Sequence, residues 1–365
     1  MQGHRPEQDL VAFAERVLAL LDQGSFVATY KYAVLLALMD LCLEGTNRHG
    51  RAPDCVTTRQ LAGKVIELYW PQTSEFRGWT LRQNRGRQAR ILADIAGFRA
   101  SLADPSAPLD RARGEAPRQF GRLVDTVEWT LILMPLPRLQ VVGGETERLL
   151  YQVGWGLEIE RSRGTVAGYQ RTGTGFDNRI LLYPGVGDHL VMLNGLLRPL
   201  VHRAWSAMVA QLNGLDESRL ESFLFGTDRI ALAAVRPGLL DLQDGRCFYC
   251  GGALSRSSDV DHFIPWARYP DNGIENLVLA DVGCNHAKKD FLAAGEHVRR
   301  WRERNLARSQ ALVGIAGAVR WETHAEETLG VARGLYLRLP PSARLWLRGP
   351  EFCPPDPDGL QETLA

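Results

Sequence analysis

Apolar side chains recur at helical spacing over residues 8–23, where Leu10, Phe13, Val17, Leu20 and Leu21 mark one face. Gly24 breaks that pattern, and the more uniformly apolar TYKYAVLLALMDLCLE (29–44) predicts a second, buried helix. After a polar loop, VTTRQLAGKVIELYW (56–70) predicts a third, with Thr57 and Thr58 as N-cap candidates and Pro71 as its stop. Residues 101–119, rich in Pro, Ala, Ser and Arg, are the best linker candidate. The texture then changes. WTLILMPLPRLQVV (129–142), LLYQVGWGLEI (149–159) and NRILLYP (178–184) have strand-like content between Gly and Pro turns. Residues 190–213 return to helix, with Pro199 expected to kink or interrupt it. Residues 228–242 and the basic EHVRRWRERNLAR (296–308) predict two further helices, and the proline-rich 338–359 predicts extended packing or a loose tail.

These elements give an α+β chain: a mostly helical N-terminal domain (1–119), a mixed α/β accessory region (120–240), a motif-bearing domain (241–310) and a C-terminal extension (311–365). The first three helices compositionally resemble the helix-turn-helix or winged-helix theme, so the N-terminal region reads as a DNA-binding, partner-docking or plain core element. His202 and Trp205, in the accessory region, read as packed or exposed residues rather than catalytic ones.

Composition narrows the class. No run of eighteen apolar residues occurs and the N-terminus has no signal-peptide pattern, so a soluble cytoplasmic protein with no membrane role is expected. A net charge of +1 excludes a polycation, and any nucleic-acid affinity must be local. Ten arginines lie between Arg77 and Arg122 against four acidic residues, and Arg82, Arg85, Arg87 and Arg90 are close enough to share one side of a helix or loop. Guanidinium forks there suit phosphate oxygens; the alternative is a solvated face. Cys42, Cys55 and Cys353 read as incidental thiols, and no Walker-type nucleotide motif is present.

Chemistry concentrates in residues 247–290. Cys247 and Cys250 form a C-x-x-C knuckle, Asp261-His262 closes a strand-like run, Asn276 follows a loop, and Cys284-Asn285 opens a helix-favouring stretch ending in Lys288 and Lys289. In that order, CFYC, DVDHFIP, ENLVLA and CNHAKK resemble the HNH endonuclease family, as an H-N-N variant of the kind found in restriction and phage-defence nucleases. Each piece is weak alone, and the ordered set is specific. The resemblance implies a ββα-metal fold and phosphodiester hydrolysis in DNA.

The resemblance also implies roles. His262 would be the general base, its imidazole titrating near neutrality. Asp261 and Asn285 would hold catalytic Mg²⁺ or Mn²⁺ through hard oxygens, with His286 as the alternative to Asn285. Asn276 would hold the loop that orients His262. Cys247, Cys250 and Cys284 would bind structural Zn²⁺ with Asp281, which stands where the family has a cysteine; a metal-free packed knuckle is the alternative. Arg268, Lys288 and Lys289 are candidate phosphate contacts, beside Arg82, Arg85 and Arg90. One such site nicks one strand, so a double-strand break calls for a homodimer or sequential nicks. Two other readings stay open: a non-catalytic zinc-knuckle protein gripping nucleic acid or a partner, and a nuclease subunit silent without a partner defence protein.

Overall fold

The structure, a computed structural model, describes residues 6–23, 28–86, 89–217, 220–226, 232–254 and 258–365. Arg87 and the start of the helix expected over 228–242 lie outside them. The chain forms two compact units, one of residues 1–42 and 53–226, the other of residues 43–52 and 227–365. Residues 53–226 thus share one unit across the expected limit at 119, and 241–310 share the other with the C-terminal extension. No helix among the described residues is long and apolar enough to cross a membrane.

The first unit is helical around a small antiparallel sheet. Its helices are α1 (Pro6–Gln23), α2 (Tyr30–Glu44), α3 (Thr58–Tyr69), α4 (Arg90–Ala100), α5 (Leu109–Glu115), α6 (Pro117–Leu133), α7 (Arg163–Thr172), α8 (Val186–Met192), α9 (Asn194–Asn213) and α10 (Leu220–Phe225). β1 (Cys55–Thr57), β5 (Arg179–Leu182) and β4 (Tyr151–Val153) make the sheet in that order, and β2 (Val141–Val142) pairs with β3 (Glu145–Thr146). Thr57 closes a capping box with Gln60, satisfying two orphan donors of α3. Tyr69 and Trp205 meet edge to face in the core, centroids 5.1 Å apart.

Three expectations change here. The WTLIL segment is the end of α6, because Trp129, Leu131 and Ile132 are all buried, and a helix packed on most of its surface loses amphipathic periodicity. Residues 101–119 are not a plain linker: they contain α5, and Pro117 opens α6, where its missing N–H costs nothing. Pro199 is absorbed inside α9, and the interruption falls before it at Leu193, between α8 and α9.

The second unit carries the motif. α11 (Arg236–Leu242) leads to the antiparallel pair β6 (Ser258–His262) and β7 (Leu277–Asp281), and α12 (Val282–Lys288) follows directly. α13 (Gly295–Ala307), α14 (Ser309–Val319) and α15 (Ala325–Tyr336) pack around this ββα unit. Val235, Leu239, Ile274, Leu277, Leu279, Leu312 and Ala316 form its buried core. The 338–359 stretch is no loose tail: β8 (Leu345–Arg348) and β9 (Glu351–Cys353) form a hairpin, and α16 (Pro357–Leu364) packs on α13 and α15. Trp346 is fully buried, and its backbone bonds both Leu292 and Ala294, which anchors the hairpin.

Gly330 of α15 lies against the Glu44 carbonyl, with which an added Cβ would collide. Gly330→Ala should gain about 1 kcal/mol in helix propensity and lose about 1–3 kcal/mol to overpacking against backbone. A lowered unfolding midpoint in urea is expected; a midpoint at or above wild type would mean the carbonyl yields without cost.

Candidate active site

Side chains alternate along β6, so Asp259 and Asp261 share one face while His262, the last residue, turns to the other. α12 runs beside the carboxylate face. Asn285 donates from Nδ2 to Asp259 Oδ2 at 3.0 Å, and one turn later Lys288 Nζ lies 2.9 Å from Asp261 Oδ2. Lys288 also donates to the His262 carbonyl at 2.8 Å, and its side chain is fully buried. Tyr249, inside the knuckle, donates its hydroxyl to the same Asp261 Oδ2 at 2.5 Å. Burial and the nearby Asp261 carboxylate push the Tyr249 phenol well above its usual pKa.

Lys288, expected at a substrate phosphate, thus has its ammonium inside the protein. Its ammonium is consumed inside the protein by one carboxylate and one carbonyl. A buried cation needs such partners, and reaching solvent would break both contacts. Lys289 is exposed but has left the helix, with φ +49° at the C-cap, its N–H bonded to the Asn285 carbonyl. Arg268 is exposed in the loop after β6, and His286 is exposed on α12.

His262 is 8% exposed, its ring tilted against Trp266 with centroids 5.3 Å apart. Nε2 lies 2.9 Å from Asn272 Oδ1. Burial, opposed by Asn272 and by Asp261 and Asp271, lowers its pKa, so the imidazole is neutral at neutral pH. The next residue, Phe263, stacks on Trp301 of α13 with planes 5° apart.

The loop between β6 and β7 is closed by Asn276, which is fully buried. Its Oδ1 accepts from Ile264 N at 2.8 Å, and its Nδ2 donates to the carbonyls of Ile264 (3.2 Å) and Asp271 (3.0 Å). Asp271 in turn accepts from Gly273 N, His324 Nδ1 and Thr328 Oγ1, each at 2.7 Å. Burial alone would raise this carboxyl, but His324 and the two other donors outweigh it and hold it below the ordinary range. Trp321 Nε1 bonds the Asn272 carbonyl at 2.7 Å, so the residue facing His262 is fixed on both sides.

The Cys247, Cys250 and Cys284 sulfurs lie within 4.8 Å of one another, a group able to hold a metal ion. Asp281 is not part of it. Its carboxylate caps α12 by accepting from Gly283 N at 2.8 Å, and its own N–H bonds Cys247 Sγ at 3.2 Å. Cys284 is driven up by burial and by Cys247. Cys250 is held below its usual value despite burial, by Gly252 N–H and the two other thiols. Cys42 is buried and Cys55 and Cys353 are half-buried, and none of the three is in a disulfide.

In the first unit Arg82, Arg85 and Arg90 are exposed; Arg82 bonds the Gly86 carbonyl and Arg90 lies 3.8 Å from Asp94. Much of the surrounding positive charge is spent internally. Arg99 bonds Ser74 and the Trp70 carbonyl, Arg111 pairs with Asp104 and Glu115, and Arg113 pairs with Glu67.

Sequence reasoning missed Tyr249, Asp259, Asn272, Asp271 and His324. The Asp-Asn-Gly run at 271–273 reads as a turn and nothing more, and His324 reaches it from 53 positions away.

Lys288→Met should strand the Asp261 carboxylate in the interior and destabilise the second unit by about 3 kcal/mol. Chemical denaturation checks this; an unchanged midpoint would mean that Asp261 is served by solvent in place of the ammonium.

Residues 247–294 match the family model described as HNH endonuclease, so the second unit contains an HNH nuclease domain. No curated protein and no solved structure matches the chain.

Proposed function

We propose that the chain is a divalent-metal-dependent endonuclease that hydrolyses phosphodiester bonds in DNA. The carrying observation is that a neutral, oriented imidazole ends the same strand whose other face presents Asp261 beside the helix bearing Asn285. That arrangement lies within the HNH match.

The residues fit a hard cation. Among the described residues, Tyr249 and Lys288 both meet Asp261 at Oδ2, which leaves Oδ1 for an ion, and Asn285 spends its Nδ2 on Asp259, leaving its amide oxygen. Two hard oxygens suit Mg²⁺ or Mn²⁺ over softer ions. Such an ion, when bound, supplies Lewis-acid stabilisation of the phosphate and the leaving oxygen.

The chain's own residues supply the rest. Asn272 accepts the Nε2 proton of His262, which leaves the lone pair on Nδ1. From Nδ1, His262 takes a proton from the attacking water, and the imidazolium keeps its bond to Asn272. Asn276 and the Asp271–His324 pair keep Asn272 in register with the ring. Exposed Arg268 and Lys289 are the phosphate contacts of this unit, and Arg82, Arg85 and Arg90 those of the other.

The three thiols take zinc as a structural ion. The fourth ligand is water or a partner other than the Asp281 carboxylate in its capping position. The biological setting that fits an H-N-N nuclease with a large accessory unit is restriction or phage defence in the cytoplasm. A homodimer or two sequential nicks would give a double-strand break.

Supercoiled plasmid incubated with Mg²⁺ or Mn²⁺ should be nicked, and EDTA should stop it. His262→Ala should lose at least about 100-fold of this activity while still shifting DNA on a gel. Asn272→Asp, which keeps the acceptor, should stay near wild type, and Asn272→Leu should fall by about 10-fold or more. Nicking retained by His262→Ala would move the base elsewhere; binding without any cleavage would favour the non-catalytic reading.

Purified protein should carry about one zinc per chain by elemental analysis. Cys284→Ser should lose it and unfold at lower temperature. Zinc-free wild type that is equally stable would make the knuckle a packed thiol cluster.

A further inference from the structure

Tyr249 stands between the two cysteines of the knuckle, in Cys247-Phe248-Tyr249-Cys250, yet its hydroxyl ends on Asp261. We propose that Tyr249 is a positioning residue which couples the thiol cluster to the catalytic ion site: while the knuckle is closed, its hydroxyl holds Asp261 as a one-oxygen ligand. This rests on the reading of Asp261 as an ion ligand.

The placement of the phenol is over-determined. Its ring meets Trp346 edge to face at 5.1 Å and His297 at 5.3 Å, both near 90°. Its backbone is clamped as well, since Arg300 of α13 donates to the carbonyls of Phe248 (2.6 Å) and Tyr249 (2.8 Å). The hydroxyl therefore has little freedom to seek another acceptor. Cys250, the next residue, is one of the three clustered sulfurs, so the backbone that an ion in the knuckle would fix is the backbone that aims this hydroxyl. Lys288 Nζ lies 5.8 Å from the Tyr249 ring centroid and meets the same Asp261 oxygen, so two donors occupy Oδ2.

The consequence is selectivity. A carboxylate with one oxygen doubly occupied offers only the other, which suits the compact octahedron of Mg²⁺ or Mn²⁺. Ca²⁺ tolerates bidentate carboxylates and irregular shells, and gains least from this restraint. Removing the hydroxyl lets the carboxylate rotate on Lys288 alone, weakening the small ion more than the large one. Outer partners of a metal ligand are typically worth 10–100-fold in affinity.

The test uses the full chain and ion binding, without reference to cleavage. Mn²⁺ affinity is read by electron paramagnetic resonance of the free ion and Ca²⁺ affinity by calorimetry, for wild type, Tyr249→Phe and Asp261→Asn. Phenylalanine keeps the ring among Trp346 and His297, and near-ultraviolet circular dichroism reports whether it does. The expected result is about 10-fold weaker Mn²⁺ binding in Tyr249→Phe with a clearly smaller change for Ca²⁺. Equal Mn²⁺ affinity in wild type and Tyr249→Phe, or equal losses for both ions, overturns the coupling while Asp261→Asn still loses the ion. If Asp261→Asn binds Mn²⁺ as wild type does, the reading of the active site fails and the coupling fails with it.

Discussion

The Lys288 ammonium is the contact on which the site is assembled. It is sealed from solvent between the Asp261 carboxylate and the His262 carbonyl, and so fastens α12 to two consecutive residues of β6. Desolvating an ammonium and a carboxylate costs several kcal/mol each, and their attraction offsets this only with good geometry and further hydrogen bonds. Tyr249 supplies the further bond to the carboxylate. What such a pair gives is register more than stability. With Lys288 seated, Asn285 falls one turn back, beside Asp259, on the face that carries Asp261. A helix held only by apolar packing could slide or rotate by a residue at small cost; one held by a buried ion pair cannot.

The opposite side of the strand is held by a different device. Asn276 satisfies both backbone groups of Ile264 and the Asp271 carbonyl, so the start and end of the loop behave as one rigid piece. Arg304 of α13 reinforces this by donating to the Glu275 and Leu277 carbonyls. His262 is thus trapped between a fixed strand end and a fixed Asn272. Catalytic geometry must hold to fractions of an ångström, and side chains on loops rarely manage that without such bracing. Here the loop is built with the interior polar bonds of a small core.

Much of this was legible in the chain. The order of cysteines, Asp261-His262, Asn276 and Asn285 pointed to one ββα unit, because a metal or base site needs specific atoms at fixed spacing. The helices over 8–23, 29–44 and 56–70 were legible from their periodicity or uniform burial. The end of α6 was misread because threonine, isoleucine and tryptophan favour strands by propensity, and tertiary burial overrides propensity. The hairpin after residue 344 was hidden by prolines that read as extended packing or a loose tail. Lys288 reads as a phosphate contact, which needs an exposed ammonium, because lysine is seldom fully buried. Its burial follows from Asp261 and from a carbonyl 26 positions back, and no local pattern carries that information.

Under the proposed function, the commitment of cations to partners within the protein limits how the second unit would hold a nucleic acid. Within the second unit, Lys288 and Arg304 are committed to carboxylate and carbonyl partners, and Arg300 to the knuckle backbone. Among the described residues, Arg268 and Lys289 are exposed cations close to β6. Each phosphate contact adds roughly one unit to the salt slope of binding, so two would give a shallow slope and weak nonspecific affinity. Under the proposed function, further affinity would come from other exposed arginines, such as Arg246 and Arg299 here and Arg82 and Arg85 in the first unit. Arginines of the first unit would then help set where the chain binds, and the HNH unit what happens to the bond.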